Sequence, residues 1–279
     1  MKIKKILNNN AVVVVDGQTE KIAIGTGIAF NKRRNDLVKT QEVEKLFVIE
    51  ETDKFQQLIM RIPEKHFEIS EEIISYAEEK LGVKLSDHIH IVLTDHLSFA
   101  IEREQEGIHL QNKLLQEIKV LYKTEFEIGM WAIQHIAKRF HIEMPIDEAG
   151  YIALHIHTAK PQSGDMKETI RQTAIISDLI QTITEYLNIT IHHDDISYQR
   201  LITHLRHSIS RVKHFELHTM DEEMLEMIKK KFPISYQCSK EVFQVLMNTY
   251  EMELPECELG YITLHIERLK QRWSIPEKI

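Results

Sequence analysis

Two periods of hydrophobicity divide the chain. Over the first fifty residues the apolar positions come in short, β-branched runs. Ala11–Val15 (AVVVV) and Lys21–Phe30 (KIAIGTGIAF) predict strands joined by a turn at Asp16-Gly17. Phe47-Val48-Ile49 predicts a last strand. Gly25 and Gly27 interrupt the second run; inside a strand they point to a bulge or to a second backbone lying close. From about residue 65 the period becomes helical. Ile73, Ala77 and Leu81 recur at i, i+4 and i+8 behind Ser70, which reads as an N-cap with Glu71 and Glu72 in the first turn. Helical patterning then continues, broken at Lys160–Asp165 (KPQSGD), which is the best linker.

The helical part repeats itself. Residues 145–156 read PIDEAGYIALHI and residues 255–266 read PECELGYITLHI, with Pro, Glu, Gly, Tyr, Ile, Leu, His and Ile coincident at an offset of 110. His96-Leu97 and Arg103 match His204-Leu205 and Arg211 at an offset of 108. Ile118, Tyr122 and Phe126 align with Ile228, Phe232 and Tyr236. The expected fold class is therefore multidomain α+β. A small antiparallel β-sheet domain over residues 1–56 precedes two tandem all-α helical-bundle domains, at 65–165 and 170–279. A sheet of that size is marginal alone, which makes dimerisation an expectation. Proline and acidic residues open each repeated motif as a helix start, and Gly150 and Gly260 within it predict tight packing on a neighbouring helix.

Composition bounds the class. With 43% hydrophobic and 28% charged residues the chain buries real cores. It shows neither a cleavable leader nor an apolar span of about 18 residues, so it reads as cytoplasmic without membrane insertion. Two unpaired-looking cysteines, Cys238 and Cys257, fit a reducing compartment. The net charge of −8 conceals a basic head: residues 1–34 carry seven cationic side chains against two acidic ones. Only that head is suited to a polyanion.

The duplication singles out four of sixteen histidines: His96 and His155 in one copy, His204 and His265 in the other. Three uses compete for them. They could be polar packing residues copied with the domain. They could bind metal, although no HExxH or Cys/His quartet occurs and Glu267 replaces His157 of the His155-x-His157 pair. They could accept phosphate, which needs a titratable nitrogen nucleophile. For that use Asp95 is placed to orient the His96 ring, and Arg103 and Arg211, two helical turns on, to pair with a phosphate. Thr203 replaces Asp95 in the second copy. Without a Walker motif or GxGxxG, the chain reads as a regulator and not an enzyme. A DNA-binding regulator and a metal-dependent sensor remain alternatives.

In the head, Lys5 leads into Asn8-Asn9-Asn10, either a polar turn or amides that read base edges. Phe30 followed by Lys32-Arg33-Arg34 suits base stacking with phosphate contact.

These segments together resemble the BglG/SacY family of bacterial transcriptional antiterminators, and among them the sucrose-operon type. The resemblance rests on KILNNNAVVV, GTGIAFNKRRND, ISEEIISYAE, DHIHIVLTDHLSFAIER, DEAGYIALHIHTAK, ISYQRLITHLRHSISR and GYITLHIERL. It implies a dimeric RNA-binding β domain and two regulation domains of the sugar phosphotransferase system. Asn8, Asn10, Gly25, Thr26 and Phe30 would face a hairpin in the leader mRNA, with Lys5 and Arg33 nearby. His96 and His155 would answer to the sugar-specific permease, and His204 and His265 to the general histidine phosphocarrier protein. No cofactor or metal is implied.

Overall fold

The continuous apolar run Ala11–Val15 belongs to a strand with both faces covered, where alternation is lost because neither side meets water. In a computed structural model, which describes residues 1–16, 19–47, 60–214 and 220–273, the N-terminal region is a four-stranded antiparallel meander. Its strands are β1 (Lys2–Asn8), β2 (Ala11–Asp16), β3 (Thr19–Ile24) and β4 (Lys45–Phe47), in that order across the sheet. Val13 pairs with Ile22 and Val12 with Ala23. Ile3, Val12, Val14 and Ala23 bury one face under Ile28, Ala29 and Val38. Leu7, Ala11, Val13, Ile22 and Ile24 bury the other with Ile62 and Phe67.

Two expectations change here. Lys2–Asn8 is a full strand, bulged between Ile3 and Lys5 and again between Ile6 and Asn8. The second strand stops at Ile24, because Gly25–Asn31 folds into turns, Ile28 N–H donating to Gly25 and Phe30 N–H to Gly27. Phe47 lies in β4, as expected, and Gly17, Val48 and Ile49 lie outside the described residues.

Ten α-helices follow among the described residues. They are α1 (Glu64–Leu81), α2 (Ile89–Gln105), α3 (Leu115–Leu121), α4 (Lys123–Phe140), α5 (Ile146–Thr158), α6 (Met166–Leu187), α7 (Ile196–His214), α8 (Glu222–Lys231), α9 (Pro233–Tyr250) and α10 (Glu256–Trp273). Pro63, not Ser70, begins α1; Ser70 is buried inside it, its hydroxyl donating to the His66 carbonyl at 2.7 Å, one turn back. The linker expectation holds: α5 ends at Thr158, and Asp165 caps α6 by accepting from Glu168 N–H at 2.7 Å.

The chain forms two compact units: residues 1–111 with 124–163, and residues 112–123 with 164–279. Each has its own core. Ile73, Ile89, Leu97, Ile101, Ile136 and Ile152 anchor the first; Ile176, Leu179, Tyr198, Leu205, Val242 and Ile262 anchor the second. The break at 163/164 falls in the expected linker. Helix α3, however, packs on α6 and α7 in the second unit, with Arg206 donating to the Leu121 carbonyl at 3.1 Å. Among the described residues no helix is long and apolar enough to cross a membrane.

Candidate functional site: two histidine pairs and an amide-rich turn

Helix α5 starts behind Pro145, and Glu148, Tyr151 and His155 follow at spacings that share one face. That face meets α2, which carries His96 and Arg103. The His96 and His155 rings come together with centroids 4.9 Å apart, and Tyr151 stands 5.9 Å from His96. Helices α7 and α10 repeat this arrangement: His204 and His265 lie 4.6 Å apart, with Tyr261 at 6.0 Å from His204. The four histidines chosen by the repeat thus form two pairs.

The carboxylate at ion-pair distance from each pair was not singled out from the sequence. Glu148, fully buried, places Oε2 at 3.2 Å from His96 Nε2, close but out of hydrogen-bond alignment. Its Oε1 accepts from Arg103 Nη2 at 2.5 Å. Asp95, expected to orient His96, is instead partly desolvated, and burial pushes its carboxyl up against the opposing pull of His96. Glu148 supplies the anion because it enters from the facing helix, whereas Asp95 is a sequence neighbour of the histidine. In the second copy Glu258 sits 3.4 Å from His204 Nε2 and accepts from Arg211 Nη2 at 2.7 Å and from the Ser208 hydroxyl at 2.6 Å. Burial raises the Glu258 carboxyl, but His204, Ser208 and Arg211 outweigh it and hold the group down at about 2. Arg103 and Arg211, expected to meet phosphate, are each engaged by a buried glutamate. The signal was available: this glutamate occurs in both copies of the motif, two residues before the glycine.

His155 is pushed down to about 3 by burial first and by His96 second, and its Nδ1 is buried without a hydrogen-bond partner. His265 is lowered to about 4 by burial, then by His204, Arg268 and Arg200. Both rings are neutral at pH 7, so each keeps a nitrogen lone pair, the requirement for a nucleophile. A histidine lowered on folding stabilises the native state above its unfolded value of about 6.5 and loses that contribution as pH falls through the folded value. For His155 the window runs from about 6.5 down to about 3, and the loss is on the order of 4 kcal/mol. Replacing His155 by Gln is expected to flatten the fall of first-unit stability across that window, measured by denaturant titration at several pH values. An unchanged slope would show that His155 is not the titrating group.

His157 turns away from the pair: its Nδ1 lies 3.0 Å from Glu125, which Lys160 also contacts. Among the described residues no group of three or more His, Cys, Asp or Glu is arranged to hold a metal ion.

In the N-terminal sheet, the Asn8–Asn10 turn and the Gly25–Phe30 turn meet at one end, joined by Gly25 N–H to the Asn10 carbonyl and Ala29 N–H to the Asn9 carbonyl. Thr26 and Phe30 are exposed there, Phe30 at 66%. Asn10 is buried; its Oδ1 accepts from Gly27 N–H at 2.6 Å and its Nδ2 donates to Glu68 at 3.3 Å. Asn8 accepts from Asn10 N–H at 2.9 Å. These two amides shape the turn from within. Gly25 is where the sequence expects a close approach, since a Cβ there would run into the Glu42 carbonyl. Lys5 is exposed in mid-β1, and Arg33 opens a separate turn, its N–H donating to Asp36 at 2.7 Å.

Comparison with known proteins places these features together. Residues 1–56 match the CAT RNA binding domain, and residues 71–159 and 177–269 each match the PRD domain. The chain is 38% identical to the transcription antiterminator LicT of Bacillus subtilis (strain 168), over 96% of this chain and 99% of that one. It is 36% identical to a beta-glucoside operon antiterminator of Dickeya chrysanthemi, covering 97% of each. A crystal structure of GlcT CAT-PRDI matches 58% of this chain and 98% of its own, with 34% identity and a TM-score of 0.54. With both domain types in this order over nearly its whole length, the chain belongs to the BglG family of transcriptional antiterminators.

Proposed function

We propose that the chain binds a hairpin in a leader mRNA as a homodimer, keeps an overlapping terminator from forming, and is switched by phosphorylation of its histidine pairs. The observation that carries this reading is the twice-built constellation of two facing rings, a buried glutamate and an arginine, on a chain headed by a CAT RNA binding domain. In this reading Thr26 and Phe30 meet RNA directly, with Lys5 and Arg33 on its phosphates, while Asn8, Asn10 and Gly25 hold the turns that present them. His96 and His155 take the restraining signal of a sugar-specific permease. His204 and His265 receive phosphate from the general histidine phosphocarrier protein. A phosphoryl group adds about −1.5 to −2 charges and strong acceptor oxygens. Placed between two packed helices beside a buried carboxylate, it repels that carboxylate and biases a dimer between closed and open arrangements. The remaining bounds are proposals too: an RNA-binding domain at 1–56, regulation domains at 65–165 and 170–279, a cytoplasmic location, and no enzymatic turnover.

Two measurements test this. The full chain is expected to bind its leader hairpin far more tightly than duplex DNA of the same sequence, with an affinity that falls as salt rises; equal binding to duplex would make it a DNA-binding regulator. Replacing both His96 and His155 by Ala is expected to raise terminator readthrough without inducing sugar to the induced level. Readthrough that stays at the uninduced level removes the restraint role from that pair.

A further inference from the structure

The two histidine pairs share their interior and differ at their rims. Carrying the repeat offsets outward, the positions around the first pair are Val92, Asp95, Phe99 and Thr158; their counterparts around the second are Arg200, Thr203, His207 and Arg268. The formal charge of the four goes from −1 to +2, with His207 neutral. In the first unit Phe99 is 61% exposed beside its pair, an apolar rim. In the second, Arg200, Thr203 and His207 line an open depression of about 400 Å³ whose floor is His204 and His265. Arg268 stands one turn beyond His265 on α10 and is exposed. Among the described residues neither arginine is ion-paired, in contrast to Arg211, which Glu258 engages. The cations near the second pair are therefore divided. Arg211 is spent on holding the glutamate, and Arg200 and Arg268 face outward with their donors open.

We propose that Arg200 and Arg268 form the phosphoryl-binding cradle of the second histidine pair, and that the first pair has no such cradle. This rests on the phosphorylation reading above and names the residues that serve it. A phosphoryl group passing between imidazoles carries concentrated negative charge on three equatorial oxygens, and guanidinium forks match that geometry. The transfer balances without a further reactant. The lone pair of the acceptor ring nitrogen forms a new P–N bond as the donor's P–N bond breaks. The broken bond's electron pair stays on the donor ring, which leaves as neutral imidazole, and the acceptor becomes the phosphoimidazolium that the donor was. What the protein must supply is charge stabilisation at the moving phosphorus, and only the second rim carries it. The asymmetry also gives a physical reason for two copies of one fold to differ. One accepts phosphate readily from any competent donor; the other depends on what its partner brings.

The test uses the full chain and two donors: the phosphorylated histidine phosphocarrier and the small molecule phosphoramidate, with each histidine pair removed in turn to assign the label. Arg200→Gln with Arg268→Gln is expected to slow labelling of the second pair at least tenfold with both donors, and Lys at both positions to restore most of the rate. Both side chains are exposed and unpaired, so circular dichroism and melting should be unchanged. Introducing Val92→Arg and Thr158→Arg is expected to speed phosphoramidate labelling of the first pair. A Gln double variant labelled at the wild-type rate overturns the cradle and leaves the proposed function standing. Loss of labelling from the carrier protein alone, with phosphoramidate unaffected, also overturns it, because the arginines would then dock the carrier and not hold phosphate. No label on any of the four histidines of the wild-type chain, from either donor, sinks the phosphorylation reading and the cradle with it.

Discussion

Replacing Glu148 by Ala is expected to destabilise the first unit by about 3–5 kcal/mol, the cost of breaking a buried ion pair from one side. Glu148 is fully buried, and its two oxygens divide between Arg103 at 2.5 Å and His96 at 3.2 Å. Removal takes the hydrogen-bonding carboxylate from the Arg103 guanidinium, whose buried Nε makes no hydrogen bond and has only Glu104 at 3.9 Å, and opens a polar void between α2 and α5. Gln keeps the volume and one acceptor but not the charge, so Glu148→Gln should lose less. Trp131, stacked on Tyr76 at 3.8 Å, reports first-unit unfolding once Trp273 is replaced by Phe. A loss under about 1 kcal/mol for Ala would mean that the guanidinium swings out to solvent and that the glutamate does not organise the pair. The same change at Glu258 removes three partners, Arg211, Ser208 and His204, where the first copy has Ala100 in place of the serine.

That glutamate shows where sequence reading stops. The repeat brought out the histidines because they are rare and chemically conspicuous. It displayed Glu148 and Glu258 just as plainly, but an acidic residue behind a helix-starting proline has a sufficient local explanation in the helix dipole. Only the crossing of α2 over α5 shows that its carboxylate points inward. Asp95 erred in the opposite direction: adjacency in sequence suggested adjacency of side chains, yet neighbours on a helix point about 100° apart. Ser70 made a persuasive cap for a helix that had begun at Pro63, because a serine bonded to the carbonyl four residues back satisfies itself within the helix.

The sheet was more legible. Alternate residues of β2 go to opposite faces, and both faces are covered, so an unbroken apolar run marked a central strand. Missed was β1, whose two bulges send Ile3 and Leu7 to opposite faces and, with its lysines, leave no simple alternation to read. The amides of Asn8 and Asn10 carry a further lesson. Residue chemistry suits them to bases, but the fold uses their acceptors on Asn10 N–H and Gly27 N–H. Thr26 and Phe30 are the exposed side chains at this end, and in the function proposed above they, held in place by the amides, are the ones that meet RNA.

The presentation of that end depends on Gly25, and Gly25→Ala is expected to abolish RNA binding by the full chain while leaving the helical units folded. Gly25 is buried at the end of β3, its N–H on the Asn10 carbonyl at 3.0 Å and its carbonyl accepting from Ile28 N–H at 3.0 Å. A methyl group there would collide with the Glu42 carbonyl, which sits in a short 3₁₀ turn (Thr40–Glu42) just before β4. Backbone cannot swing aside as a long side chain can. Either β4 detaches from β3 or the Gly25–Phe30 turn leaves the Asn8–Asn10 turn. Overpacking costs about 1–3 kcal/mol, and a core this small rarely supplies more than about 3–5 kcal/mol. The substitution therefore consumes most of the local stability. Thr26→Ala separates fold from contact: its side chain is exposed and its fixed contact is the backbone N–H to Glu44 at 3.0 Å, so it should keep the fold and lose only the affinity that its own meeting with RNA supplies. Hydrogen exchange at Val12–Val14 separates the two cases, rising at least tenfold in Gly25→Ala and staying near wild type in Thr26→Ala. If the Gly25 variant binds its hairpin within twofold of wild type, the approach of Glu42 is not a constraint on the RNA face, and the turn tolerates a side chain that its packing says it should refuse.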